Sequence, residues 1–167
     1  REKMLLVIEF ADSYTAHAQS MGKRTYKNDI AKFRDHILPT LGHLRMDAVT
    51  VRDIQGLLAN LKEKLSNATI NRIHALLSVF FNLAVTWDII RSSPCEKVKK
   101  LKENNKVTRF LSADDIRNIL KAADQDFSLY PAAAVSALAL TGLRREEILR
   151  AEVRYFNREE RTLFLPH

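Results

Sequence analysis

Ser66-Asn67-Ala68-Thr69-Ile70-Asn71-Arg72-Ile73-His74-Ala75-Leu76-Leu77-Ser78-Val79-Phe80-Phe81-Asn82-Leu83-Ala84-Val85-Thr86-Trp87 reads as one long helix. Its apolar residues Ile70, Ile73, Leu76, Leu77, Phe80, Phe81, Ala84 and Val85 recur at three- and four-residue spacing. So wide an apolar face belongs to a helix buried at the centre of a mainly α domain. The first turns should be exposed and offer Thr69, Asn71, Arg72 and His74 near the positive end of the helix dipole, a setting suited to phosphate. A plainer reading gives Asn67 and Thr69 only a capping role.

Three helices precede it. The first is expected over about 5–19, with Ile8, Ala11 or Asp12, Thr15 and Ala18 on one side, ending near Gly22. The second spans about 23–38, where Tyr26, Ile30, Phe33 and Ile37 form a core stripe within about 60° of one another. Lys23, Lys27 and Arg34 fall on one flank of that helix, within about 40°, and could lie along a phosphate backbone. The third begins at Thr50, where Thr50-Val51-Arg52-Asp53 has capping-box spacing, and runs to about Lys64.

Composition supports a helical reading. The 167 residues contain 46% hydrophobic and 28% charged residues with only four glycines and four prolines, enough for one domain or two small ones. Twenty-seven basic against 20 acidic residues give a net charge of +7, which suits a polyanionic partner. The single cysteine, Cys95, excludes an internal disulfide framework and a cysteine-based zinc site, so a reducing cytoplasm is the expected setting. No membrane partner is expected, because the apolar run from Met4 to Ile8 is far too short to span a bilayer.

Residues 92–109 read as a basic linker between a domain at 1–91 and a second at 110–167. Ser92-Ser93-Pro94 closes the preceding helix, Asn104-Asn105 breaks periodicity, and Lys97, Lys99, Lys100, Lys102, Lys106 and Arg109 outnumber Glu96 and Glu103. Beyond it, Ser112-Ala113-Asp114-Asp115 repeats the capping-box spacing ahead of Ile116, Ile119, Leu120 and Ala123. Pro131 opens an apolar core helix over 132–140, which Thr141-Gly142 ends with the left-handed residue of a C-cap. A short helix over about 144–151 follows. Thr162 to Leu165 then reads as a single strand entered through the turn Asn157 to Arg161.

Four segments, in order, resemble the phage integrase family of tyrosine recombinases. Lys23-Arg24-Thr25-Tyr26-Lys27-Asn28-Asp29 leading to His36-Ile37-Leu38-Pro39-Thr40-Leu41-Gly42 is similar to the second helix of the family's core-binding domain, and Asn67 to Val85 is similar to its fourth. Arg109-Phe110-Leu111-Ser112 resembles the entry to the catalytic domain. Thr141-Gly142-Leu143-Arg144-Arg145-Glu146-Glu147-Ile148-Leu149 resembles the segment that bears the first catalytic arginine.

The resemblance implies a SAM-like helical core-binding domain followed by the opening of an α+β catalytic domain. Double-stranded DNA would be the partner, without metal or cofactor. A tyrosine attacks the scissile phosphodiester in such enzymes, and fixed arginines stabilise the charge that gathers on the non-bridging oxygens. Carried over, Arg144 is that arginine and Glu147 orients its fork, while Arg145 faces DNA or solvent. Lys23, Arg24 and Lys27, then Thr69, Asn71 and Arg72, then Lys99, Lys100 and Lys102 are the expected DNA contacts.

The catalytic lysine, a His-x-x-Arg pair and the tyrosine nucleophile fall outside this pattern. His17, His36, His43 and His74 are followed at the third position by Ser20, Pro39, Met46 and Leu77, and all four tyrosines lie ahead of any nucleophile position. The expectation is therefore a DNA-binding portion of a prokaryotic or phage-derived recombinase. The parent would be tetrameric on DNA, and the piece itself monomeric or weakly self-associating through the exposed edge of Thr162 to Leu165. The alternative is a non-enzymatic helical DNA-binding regulator.

Overall fold

The structure, a computed structural model, describes residues 5–103, 110–125 and 129–165. The chain forms two compact units that divide between Asn105 and Lys106. In the first, α1 spans Val7–Ser20, α2 Tyr26–Lys32, a π-helical turn Phe33–Ile37, α3 Leu38–Leu41, α4 Val51–Leu61 and α5 Asn67–Thr86.

Phe80, on α5, is the hub of the first core. Phe10, Phe33 and Phe81 lie 4.9, 5.0 and 5.1 Å from it between ring centroids, and Tyr14 lies 5.7 Å away. Each such ring, fully buried, contributes about 1.5–3 kcal/mol by the apolar area it removes from water. The wide face expected of α5 is buried from Ile70 to Ala84. On α1 the buried set is Val7, Phe10, Ala11, Tyr14 and Ala18, whereas Ile8 is 46% exposed and Thr15 lies at the edge. The inward stripe therefore sits about one residue from the one expected, because the three aromatic partners of Phe10 and Tyr14 fix the roll of the helix.

The second helix departs from its expected stripe for a local reason. Pro39 has no N–H to give and its ring crowds the carbonyl four residues back. The helix widens just before it, and Leu38 N–H bonds to the Phe33 carbonyl five residues away. A π turn takes more residues per revolution, so Ile37 falls into line with Phe33 and Asp29 and away from Ile30. Phe33 and Ile37 are buried, Asp29 is buried with them, and Ile30 is 42% exposed.

After α3 the chain reverses at Gly42, where any Cβ would stand 2.6 Å from the Leu38 carbonyl oxygen. The carbonyls of Leu44 and Gly42 then accept from Val7 N–H and Ile8 N–H, which satisfies orphan donors at the start of α1. The box at α4 is present: Asp53 Oδ2 accepts from Thr50 N–H at 2.8 Å while Thr50 Oγ1 accepts from Asp53 N–H at 3.3 Å. The Thr50 hydroxyl, which donates to the same Oδ2 at 2.7 Å, and then the Thr50 N–H hold the Asp53 carboxyl below its ordinary range. The helix ends at Leu61, one turn earlier than expected.

The second unit carries α6 (Ala113–Asp124), α7 (Leu129–Thr141), α8 (Arg145–Leu149), a 3₁₀ turn Val153–Tyr155, and strands β1 (Phe156–Asn157) and β2 (Thr162–Leu163). Ser112 and Asp115 form the expected box on α6. Gly142 adopts φ +68 and ends α7. α7 begins at Leu129 rather than beside Pro131, which places the proline inside the first turn, where no N–H is needed. The expected core helix is only half covered: among the described residues of this unit none is fully buried, and Leu140 is 74% exposed.

The strand expected to stand alone is paired. β2 runs antiparallel to β1 with Phe156 opposite Leu163 and Asn157 opposite Thr162. Arg161, at φ 53, turns the chain between them. One edge of Thr162–Leu163 is thus occupied within the unit.

Candidate nucleic-acid interface

Lys23 does not lie on a helical flank with Lys27 and Arg34. It sits in the turn before α2, and its ammonium reaches inward to Asp29 Oδ2 at 2.6 Å and to the Tyr14 hydroxyl at 3.3 Å. Burial opposes the charge on Lys23, but the bonds to Asp29 and Tyr14 outweigh it and raise its pKa above the ordinary value. Tyr14 in turn donates to Asp29 at 3.4 Å, and Lys32 stands 3.9 Å from the other carboxylate oxygen. Lys23 is thereby a partner of a buried acid. Arg24 and Lys27 remain exposed on the surface, while Arg34 is held by Asp35 through two bonds of 2.6 and 2.9 Å.

At the start of α5, Ser66 is the N-cap and accepts from Thr69 N–H at 3.3 Å. Asn67 does something else: its Nδ2 donates to the Lys102 carbonyl at 2.8 Å. One turn later Asn71 Nδ2 donates to the Leu101 carbonyl at 2.9 Å and Asn71 Oδ1 accepts from Leu101 N–H at 2.8 Å. A further bond of 2.6 Å runs from Asn71 to Glu103. Asn71 and His74, expected to be exposed, are 7% and 5% exposed, because the chain beyond α5 returns along these turns and covers them.

The returning stretch is the segment expected to be a linker. Up to residue 103 it belongs to the first unit, with Pro94 and Cys95 buried and Val98 and Leu101 packed against the core. Lys106 and Arg109 lie outside the described residues. Lys99, Lys100 and Lys102 are exposed along this strap, and the two asparagines bring it to the end of α5 from which Arg72 projects into solvent and beside which Thr69 is half-buried. Folding thus brings Lys102, distant in sequence, to the first turn of α5 at the positive end of its dipole, near Arg72, while Lys99 and Lys100 continue along the strap toward α4 and the middle of α5. Asn67 was read from sequence only as a cap, a place that Ser66 takes, and Asp29 was not singled out. An Asn pair four residues apart on a helix start was the readable signal for the first, and nothing local distinguishes the second.

Two buried titratable groups lie under the strap. The His74 imidazole has neither nitrogen in a hydrogen bond, with the Cys95 backbone facing it short of bonding geometry. Burial, aided by the charge of Lys100, pushes its pKa down and keeps the ring neutral at pH 7. Burial pushes the Cys95 thiol up to about 11.

In the second unit Arg144 is the N-cap of α8, with an extended backbone at φ −73 and ψ 150, rather than its first helical residue. Glu147 binds it twice: Oε2 accepts from Arg144 N–H at 2.7 Å and Oε1 from Nη1 at 3.0 Å. Those bonds, the backbone one first, hold the Glu147 carboxyl below its ordinary range. The guanidinium is 87% exposed with most of its five donors turned to solvent, so the carboxylate fixes an arginine that can still grip an oxyanion. Arg145 opens the helix and pairs with Glu146 at 2.6 Å.

Residues 15–86 match the family described as phage integrase, N-terminal SAM-like domain. The chain is 27% identical over 85% of its length to a tyrosine recombinase of Thermosipho africanus, and 30% identical over 74% of its length to the ICEBs1 integrase of Bacillus subtilis. It spans about half the length of the first and a third of the second, at 52% and 34%. Its fold is similar to that of a lambda integrase in a dimer bound to a COC' core site, with a TM-score of 0.81 and 20% identity over 92% of this chain and 56% of that one. The Tn1549 transposon integrase in complex with circular intermediate DNA gives a TM-score of 0.74 and 23% identity over 95% of this chain and 54% of that one.

Proposed function

We infer, from a chain that belongs to the tyrosine recombinase and phage integrase family, that its first unit grips duplex DNA by the backbone. The observation that carries the reading is the pair of asparagine clamps, Asn67 on Lys102 and Asn71 on Leu101, which hold a strap with three exposed lysines against the helix that presents Arg72. Ammonium and guanidinium groups on such a surface pair with phosphates and give affinity and register rather than sequence choice. Arg24 and Lys27 extend the same chemistry to α2, and Thr69 offers a hydroxyl.

The second unit contributes Arg144 to a phosphoryl-transfer site. As the attacked phosphorus becomes five-coordinate, charge builds on its non-bridging oxygens, and a planar cation already oriented by Glu147 stabilises that charge without reorganising. The strand transfer itself, through a 3'-phosphotyrosyl intermediate, belongs to the complete recombinase, with DNA as substrate and no metal or nucleotide.

Fluorescence anisotropy of a labelled duplex, titrated from about 50 to 200 mM salt, tests the interface. The expected result is a log affinity that falls linearly with log salt, with a slope of about −0.9 for each phosphate neutralised. A flat response would remove the reading.

A further inference from the structure

Beneath the strap lies a recess of about 630 Å³ between the middle of α5 and residues 91–100. It is far larger than the roughly 30 Å³ share of one water. His74 lines it, 95% shielded from solvent and with both ring nitrogens unpaired, although nearly every other buried polar side chain here finds a partner. A buried imidazole left in this state marks a place where a polar ligand completes the hydrogen bonding.

The remaining lining decides what kind of ligand. Arg91 and Lys100 bring two positive charges to the rim, against the single carboxylate of Glu96. The field is positive at the imidazole itself, since Lys100 adds to burial in disfavouring its protonation. Ser93 accepts from Cys95 N–H at 3.3 Å and lies close to the Cys95 sulfur, a weak acceptor, so its hydroxyl can turn to a stronger one. Ser78 has already given its hydrogen to the His74 carbonyl, at 2.9 Å. The recess therefore holds two cations, a neutral N–H, further donors on Ser92, Ser93 and Asn82, and a single acid.

We propose that this recess binds one phosphate-class oxyanion, held by Arg91 and Lys100 and by hydrogen bonds from His74 and Ser93. Lys100 is shared with the lysine face, whereas Arg91, His74 and Ser93 have no part in the duplex reading, so the site goes beyond it. The same chemistry accepts a backbone diester of bound DNA or a free phosphate.

Nitrogen-15 labelled protein of the full 167 residues separates the two sources. Sodium phosphate is titrated against sodium chloride of equal ionic strength while the His74 ring nitrogens are followed by long-range proton–nitrogen correlation. A short duplex at low salt forms the second arm. Saturable movement of the His74 signals with phosphate and not chloride establishes the site and names a free anion as a ligand. Movement with duplex alone establishes it with a backbone phosphate as occupant. Arg91→Ala and Lys100→Ala change exposed side chains and leave the core intact, and each should weaken the response about tenfold. His74 signals that stay still in both arms, or unchanged responses in both variants, would overturn the proposal. Amide shifts near Lys27 and Arg72 in the duplex arm report the DNA reading independently.

Discussion

Asn71 grips Leu101 by two hydrogen bonds running in opposite directions, its Nδ2 to the Leu101 carbonyl at 2.9 Å and Leu101 N–H to its Oδ1 at 2.8 Å. A side-chain amide here pairs with a backbone amide as a neighbouring strand would. Asn71→Ala removes both and leaves the Leu101 amide without a partner, at a cost of about 1–3 kcal/mol. The loss is local, because the core face of α5 is untouched. Native-state hydrogen exchange should show the Leu101 amide opening at least about tenfold faster while the Phe80 amide keeps its protection. Equal acceleration at both would mean that the clamp supports the whole unit rather than the strap.

Lys23 and Lys27 stand four residues apart and should behave differently on substitution. Lys23→Ala strips Asp29 of its 2.6 Å partner and leaves a buried carboxylate with only the Tyr14 hydroxyl at 3.4 Å and Lys32 at 3.9 Å, which should cost about 1–3 kcal/mol once the partial exposure of Lys23 is allowed for. Lys27→Ala changes an exposed side chain and should move stability by less than about 0.5 kcal/mol. On duplex DNA Lys27→Ala should lower the salt slope by about one. Urea denaturation and anisotropy on the two variants check the contrast. A stable Lys23→Ala protein with weakened DNA binding would return Lys23 to the interface.

How far such differences could be read beforehand depended on whether their cause was local. The boxes at Thr50 and Ser112 span four residues and were legible, as was Gly142, whose left-handed conformation needs no distant partner. The core face of α5 was legible because eight apolar residues overdetermine it. On α2 the stripe failed at Ile30 and Asp29, where Pro39 forces a wider turn that a fixed periodicity cannot register. Asn71 and His74 failed for the opposite reason: residues 21 to 30 further along the chain, Cys95 to Leu101, return to cover them. At Arg144 the motif put the residue forward as a candidate, but its place as an N-cap was not legible, since only the backbone fixes where α8 begins.

His74 should make stability depend on pH. Burial first, and the charge of Lys100 second, hold its folded pKa below the unfolded value of 6.5. A depressed pKa means that the unfolded chain takes up the proton more readily, so stability is full above about pH 6.5 and falls as pH drops through that value towards the folded one. The groups facing the ring are Lys100 and the Cys95 backbone, with Arg91 and Glu96 on the same recess. Urea midpoints in phosphate-free buffer should fall between pH 7.5 and 5.5, and His74→Leu should flatten the dependence. A variant that keeps the full slope would place the responsible proton elsewhere.

Cys95 offers a chemical readout of the strap. Its thiol is 4% exposed and its pKa is about 11, so thiolate at pH 7.5 is scarce. Against an ordinary cysteine thiol near 8.5, ionisation alone should slow disulfide exchange with an aromatic disulfide reagent by roughly two to three hundredfold, before any shielding is counted. Reaction then proceeds mainly through openings that lift residues 92–103 from α5, since those movements expose the sulfur and restore its ionisation together. Asn71→Ala weakens the hold on Leu101, six residues further along the same strap, and should speed labelling in proportion to the faster exchange of the Leu101 amide. Labelling that is rapid in the native chain would contradict the burial of Cys95. Labelling that is slow and indifferent to Asn71→Ala would mean that Cys95 and Leu101 open as separate segments, with the buried sulfur held by the helical core rather than by the clamp.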